Sequence, residues 1–346
     1  MKIKGPSLVQ DFFCTVNIDQ DWSGTVGSNG TIKLKKTPSK STSINFQQNQ
    51  LIEQELFISR FNSIVEDMGQ LLKRTAISTN IKERFDFSCA LLDLDGQLVV
   101  NAPHIPVHLG ALGLCVRSVI SNKKIRPGDM IITNHPGHGG SHLPDITLIS
   151  PVFDNNDLLI GYIANRAHHA ELGGISPGSM PTRAKSLSEE GIVIPPTFLY
   201  QANKPQFDEI KKILNSSFWP TRCLEDNIAD IKAQVAANLL GIRTLQRMAS
   251  LYGTPKIINQ IRKLRSRASI AITRCIKSLN PGQFFTKEKL DDGSELIAKI
   301  VVEKDNIKFD FLASSSPKSK EYASFIRNSL HLITPNLGRN SSRNFH

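Results

Sequence analysis

Ile146–Phe153 (ITLISPVF), Asn155–Asp157 (NND) and Leu158–Asn165 (LLIGYIAN) read as strand, turn and strand. β-Branched and apolar runs on either side of an Asn/Asp cluster are the signature of an antiparallel hairpin. If Phe153 faces Leu158, the register runs back to set Asp145 near Arg166. The open end of this hairpin then joins two polar segments of unusual composition. One is NHPGHGGSHLPD (Asn134–Asp145), with three histidines, three glycines and an aspartate; the other is RAHHAELGG (Arg166–Gly174).

That juxtaposition points to chemistry. Imidazole and carboxylate are the usual donors for manganese, iron or zinc, and glycine lets the backbone wrap a small ion or oxyanion. His142 and Asp145 are three apart, so one bend turns both side chains inward. His168 and His169 are adjacent and point to opposite faces if the strand continues, so one of them is the ligand. The expected site has two histidines, one carboxylate and open positions. His135 and His138 read equally well as groups facing the site or as solvated loop residues.

Working outward, Leu51–Thr75 carries a helical stripe of Leu56, Phe57, Phe61, Ile64, Met68, Leu71 and Leu72. Ser78–Phe85 is a polar connection. Phe87–Asp93 and Gln97–Asn101 flank Asp95–Gly96, a second hairpin signal. His104 and His108 precede a helix over Leu109–Ser121, and Asp129–Thr133 is a short strand leading into the first histidine segment. Ile175–Pro196 is a long irregular stretch of the kind that covers active sites. Asp226–Leu251 is a long amphipathic helix with Gly253 just beyond its end. Leu296–Val302 and Ile307–Phe311 pair across Glu303–Asn306, and after about Ser316 the pattern decays. The fold class expected is α+β: mixed, with largely antiparallel hairpins and long amphipathic helices.

With 346 residues and 40% hydrophobic content, the chain can bury a sizeable core. Its five cysteines are scattered and lack a CxxC pair, which fits free thiols in a reducing cytoplasm. No signal-peptide core or membrane-length apolar run is visible, so a soluble cytoplasmic protein is expected, without membrane contact. Most of the net charge of +11 lies beyond Lys256. There Ile257, Ile261, Leu264, Ile272 and Ile276 form an apolar face, so the basic residues read as the solvated side of a packed helix and not as a nucleic-acid site. GxxxxGK[ST], a strand-borne GxGxxG, HExxH and GxSxG are all absent, which removes the commonest nucleotide-binding, zinc-protease and α/β-hydrolase readings.

NIKERFDFSCALLDLDGQLVVNAPHIPVHLG, GDMIITNHPGHGGSHLPDITLISPVF, NRAHHAELGGISPGSMP and LEDNIADIKAQVAANLLG together resemble the hydantoinase B/5-oxoprolinase family, relatives of the acetone carboxylase alpha subunit. The resemblance implies a B-type domain over residues 51–316, followed by a divergent tail, 317–346. Residues 1–36 resemble the C-terminal end of a hydantoinase A-type domain, and 37–50 form a linker. The chain therefore reads as a fragment of a fused A–B protein with an incomplete B-type fold.

The implied activity is ATP-dependent opening of a cyclic amide, 5-oxo-L-proline to L-glutamate or a hydantoin to an N-carbamoyl amino acid. An A-type subunit or domain phosphorylates the amide oxygen, and the B-type part completes hydrolysis, in an oligomer. ATP enters only through that A-type partner. By matching position, a divalent metal (Mn, Fe or Zn) falls to His142, Asp145 and His168, with His169 as the alternative. Asp86, His138 and Glu171 stand as candidate catalytic groups, and His104, His108 and Arg166 as candidate substrate-binding groups. Arg166 could equally pair with Asp145 or Glu171, and Glu171 replaces the family's usual aspartate. The competing expectation is a non-catalytic remnant that retains only subunit-interaction surfaces.

Overall fold

The computed structural model describes residues 2–10, 15–20, 22–36, 46–103, 108–179, 181, 183–290 and 293–314. The chain divides into two compact units, Met1–Leu56 and Phe57–His346. In the first, β1 (Lys2–Lys4), β4 (Trp22–Val26) and β5 (Ile32–Lys36) form an antiparallel sheet, and β2 (Ser7–Gln10) pairs with β3 (Thr15–Ile18). Among its described residues, Ile3 and Ile18 are the buried apolar side chains.

α1 (Phe46–Thr75) enters the second unit at Phe57, and its stripe of Phe57, Phe61, Ile64, Val65, Met68 and Leu72 is buried as its spacing requires. Leu56 departs from that expectation and stays half exposed. The polar connection contains a single helical turn, α2 (Thr79–Lys82). A seven-stranded antiparallel sheet follows, in the order β12-β11-β8-β9-β10-β6-β7. Its strands are β6 (Phe87–Leu92), β7 (Leu98–Pro103), β8 (Met130–Thr133), β9 (Asp145–Phe153), β10 (Leu159–His168), β11 (Thr197–Gln201) and β12 (Lys204–Pro205).

α3 (His108–Asn122) covers one face through Leu112, Cys115, Val116 and Val119, packed on Ala90, Ile131, Ile149 and Ala164. The other face is covered by α1, α5 (Phe207–Asn215), α6 (Leu224–Tyr252) and α7 (Thr254–Lys277). Both faces being covered explains why β6 and β9 read as continuous apolar runs with little alternation. Gly241 sits where α6 meets α1 and β10: a Cβ there would lie 2.5 Å from Met68 Sδ and 3.1 Å from Ile163 Cγ2. Among the described residues of the irregular stretch 175–196, α4 (Leu187–Glu190) is the only regular element.

Two expectations are corrected. The central hairpin does form, but its register begins at Leu159 opposite Phe153 and shifts again at a bulge between Leu159 and Gly161. Asp145 therefore pairs with His168, not Arg166, and Arg166 pairs with Thr147. On α7, Ile257, Ile261 and Ile276 are buried, but Ile272 is exposed, so the apolar face is narrower than its spacing suggests. A third sheet, β13 (Gly282–Lys289), β14 (Glu295–Val302) and β15 (Ile307–Asp310), includes a first strand that the chain's weak alternation had hidden. Among the described residues, no helix is long and apolar enough to cross a membrane.

Candidate metal centre

The bulge in the central hairpin decides where the functional side chains go. Side chains alternate along a strand, so Asp145 and Thr147 on β9, Ser88 on β6 and Arg166 and His168 on β10 share the face that carries α3. At the open end of that face, Asp145 is almost fully buried. Its Oδ2 lies 3.1 Å from His108 Nε2, and its Oδ1 lies 3.3 Å from His142 Nε2. Ser141 Oγ also donates to Oδ2. The second contact lacks hydrogen-bond geometry, so Oδ1 accepts no hydrogen bond although it is buried.

His108 is the first residue of α3, and its Nδ1 lies 3.1 Å from Ser88 Oγ, giving a buried chain from Ser88 through His108 to Asp145. One oxygen of Asp86, one of Asp145 and a ring nitrogen of His108 lie within 4.8 Å of one another. The rings of His142 and His168 meet edge to face, 4.7 Å between centroids. His168 Nδ1 is 2.7 Å from the main-chain oxygen of His169 and 2.8 Å from the Asn80 amide. A carbonyl only accepts, so Nδ1 carries the proton and Nε2 keeps its lone pair. The Asn80 amide can then turn its oxygen to that N–H.

The electrostatics suit a cation. Burial works against charge on Asp145, yet the facing His108 and His142 rings hold its carboxyl well below the usual carboxylate range. Burial pushes the His168 imidazole below its usual value, with Asp145 opposing, which keeps it neutral and able to ligate. No lysine or arginine forms an ion pair with Asp145 among the described residues. A buried carboxylate with an unbonded oxygen, ringed by imidazoles, is a donor set that fits a divalent ion.

Other candidates fall elsewhere. Both ring nitrogens of His169 face α6, Nδ1 at 2.8 Å from Asn227 Oδ1 and Nε2 at 3.1 Å from Gln234 Oε1, whereas the His168 ring meets His142. Glu171 accepts from the main-chain N–H groups of Gly173, Arg222 and Cys223 and from Thr221 Oγ1, with Arg222 Nη1 3.4 Å away. Burial alone would raise its pKa, but these donors hold it below the usual value. It braces the start of α6.

Arg166 is 0% exposed and makes neither of the salt bridges considered for it. Its Nε donates to Thr147 Oγ1 and its Nη2 to Gly139 O, both at 2.8 Å, so it clamps the glycine loop. Gly139 has φ 79°, and a Cβ on it would lie 2.6 Å from Cys115 N; only glycine lets the loop close on α3. His138 Nδ1 is 2.8 Å from Ser118 Oγ of α3, and its ring packs edge to face on His135. His104 lies outside the described residues.

Sequence reasoning missed Asn134, which spans the loop: its amide donates to Leu143 O and Ile192 O and accepts from Ile194 N–H. It also missed Ser88 and Asn80, single polar residues whose partners are distant in the chain and leave no local signal.

The hydantoinase B/oxoprolinase family profile matches residues 50–331. The chain belongs to the hydantoinase B/oxoprolinase family. It is 37% identical over 342 residues to 5-oxoprolinase 1 of Arabidopsis thaliana, covering 91% of this chain and 27% of that protein. It is 37% identical over 330 residues to 5-oxoprolinase of Saccharomyces cerevisiae, covering 90% and 26%. The chain thus spans about a quarter of the length of these curated relatives. Among solved structures, the ATP-dependent caprolactamase of Pseudomonas jessenii superposes with a TM-score of 0.68 at 24% identity, over 75% of this chain and 45% of that one. A nucleotide-free acetone carboxylase superposes with a TM-score of 0.67 at 17% identity, over 79% and 38%. These likenesses show the α+β fold of the family.

Proposed function

We propose that this chain is the hydrolytic region of a cyclic-amide-opening system, acting on 5-oxo-L-proline to give L-glutamate with an A-type phosphorylating subunit or domain as its partner. The ring class follows from the 5-oxoprolinases among its relatives, and the need for ATP follows from the chemistry. An amide carbon is a poor electrophile, and transfer of a phosphoryl group to its oxygen prepares it for attack by water. ATP belongs to the partner.

The observation that carries the reading is Asp145, a buried carboxylate with one unbonded oxygen among His108, His142 and His168. In this proposal Asp145, His142 and His168 hold a divalent ion, manganese, iron or zinc by donor chemistry. Asp86 and His108 move from the catalytic and substrate-binding roles to this donor set, because their atoms converge on Asp145. Such an ion polarises a carbonyl or lowers the pKa of a bound water. The chain's own residues orient and exclude. Ser88 and Ser141 hold His108 and Asp145 in place, the Nδ1 proton of His168 turns its lone pair inward, and Asn134 ties the stretch around Ile192–Ile194 to the loop.

The test is elemental analysis of the purified chain beside His142→Ala and Asp145→Asn, followed by 5-oxoproline turnover with ATP and an added A-type subunit. One ion per chain that both variants lose, with turnover only in the mixture, is the expected result. A well-folded chain without metal, inert with every A-type partner, would leave the remnant reading standing.

A further inference from the structure

We infer that His169 is the positioning residue for His168, and that it acts through a buried polar chain rooted in α6. Its ring is keyed into that helix by Asn227 and Gln234, at 2.8 and 3.1 Å. Its main-chain N–H bonds to Pro144 O at 2.9 Å, and its carbonyl takes the Nδ1 proton of His168 at 2.7 Å. One residue therefore joins three things: the helix, the loop that ends in Asp145, and the ring orientation of His168.

The chain extends well beyond His169. Gln234 Nε2 donates to Ile146 O at 2.9 Å and to Asn165 Oδ1 at 2.8 Å. Asn165 Nδ2 donates to Asn238 Oδ1 at 2.8 Å, and Asn238 Nδ2 donates to Ser150 Oγ at 3.0 Å. On the other side, Asn227 Nδ2 donates to Thr221 Oγ1 at 2.7 Å. These amides are fully or almost fully buried, and their donors fix which way each oxygen points. An apolar interface would let α6 slide on the sheet at modest cost, but a chain of buried, directional amide contacts has one register. Gln234 and Asn227 can meet the His169 ring only in that register, and the His169 carbonyl then faces His168. The pair of adjacent histidines divides the work: His168 presents Nε2 to the donor cluster, and His169 anchors it.

The structural claim stands on this geometry alone; its effect on ion binding rests on the proposed metal site. Two variants separate positioning from general stability. Gln234→Leu cuts the chain next to His169, and Asn238→Leu cuts it at the far end, where His169 is untouched. Both are expected to lower the melting temperature. Only Gln234→Leu is expected to weaken zinc or manganese affinity, by about 10–100-fold, as loss of a ligand's outer partner does. Equal affinity in the two variants overturns the inference.

An ion-independent readout accompanies it: 15N chemical shifts of the His168 ring in the full chain. The expected wild-type state is the Nδ1–H tautomer, mixing with Nε2–H in Gln234→Leu. An Nε2–H tautomer in the wild type overturns the inference even if neither variant folds. A wild type that binds no ion but shows the Nδ1–H tautomer overturns the metal reading and upholds this one.

Discussion

Asp145 and His168 are cross-strand partners at the last rung of the β9–β10 ladder. That pairing exists because the bulge between Leu159 and Gly161 advances β10 beyond a regular hairpin. Each residue added to one side of a hairpin sends every later side chain to the opposite face. Deleting Ile160 is therefore expected to turn His168 away from Asp145 and abolish ion binding while circular dichroism still reports a folded chain. Full ion content in a folded deletion variant would show that the register does not set the site.

Ser88→Ala removes the group that faces His108 Nδ1 at 3.1 Å and leaves its buried ring without a partner on that side. Ion affinity should fall about 10–100-fold, the usual effect of losing an outer-sphere partner. Titration with a competing chelator measures it, and an unchanged constant would remove His108 from the donor set.

Glu171→Gln is expected to cost stability at pH 7, on the order of 1.5–3 kcal/mol for weakened charge-assisted hydrogen bonds. The folded-state pKa of Glu171 is held below its unfolded value. Its contribution is thus present above the unfolded pKa, about 4.3, and is lost as pH falls through the folded one. Urea unfolding of both proteins from pH 7 downwards should show the difference shrinking below pH ~4.3. A constant gap across that range would contradict the helix-bracing role.

Arg166→Met abandons two acceptors, Thr147 Oγ1 and Gly139 O. The expected loss is about 1–3 kcal/mol for each stranded group, partly offset because a buried guanidinium no longer has to be desolvated. In the reconstituted mixture, KM for 5-oxoproline should stay unchanged. A large rise in KM with little loss of stability would restore Arg166 to the substrate.

Much of the fold was legible. α1, α6 and the central hairpin announced themselves because their apolar spacing is long and their ends carry turn or cap residues, such as Asn155–Asp157 and Gly253. The register was harder to read: Gly161 is the local mark of the bulge, since a Cβ there would lie 2.4 Å from Leu92 O, but a lone glycine within a strand does not say by how much the pairing shifts. β13 stayed hidden for a related reason: GQFFTKEK pairs with β14 but is almost wholly exposed, so burial never imposed alternation on it. In the candidate site, the histidine-rich segments do converge at one end of the sheet. Dividing labour between His168 and His169, or moving Arg166 and Glu171 to bracing roles, required partners from α6 and the glycine loop that lie far away in sequence.

The donor cluster draws on Asp86, just before β6, and on His168, at the end of β10. A chain emerging from the ribosome holds no complete set of donors until β10 has cleared the exit tunnel, and α6 must follow before His169 is anchored. Under the proposed metal reading, an ion could not template the early steps of folding and would be captured only by a nearly finished sheet. Ion uptake during translation would therefore report completion of the central strands, and a chain halted before Asn165 should emerge without affinity for one.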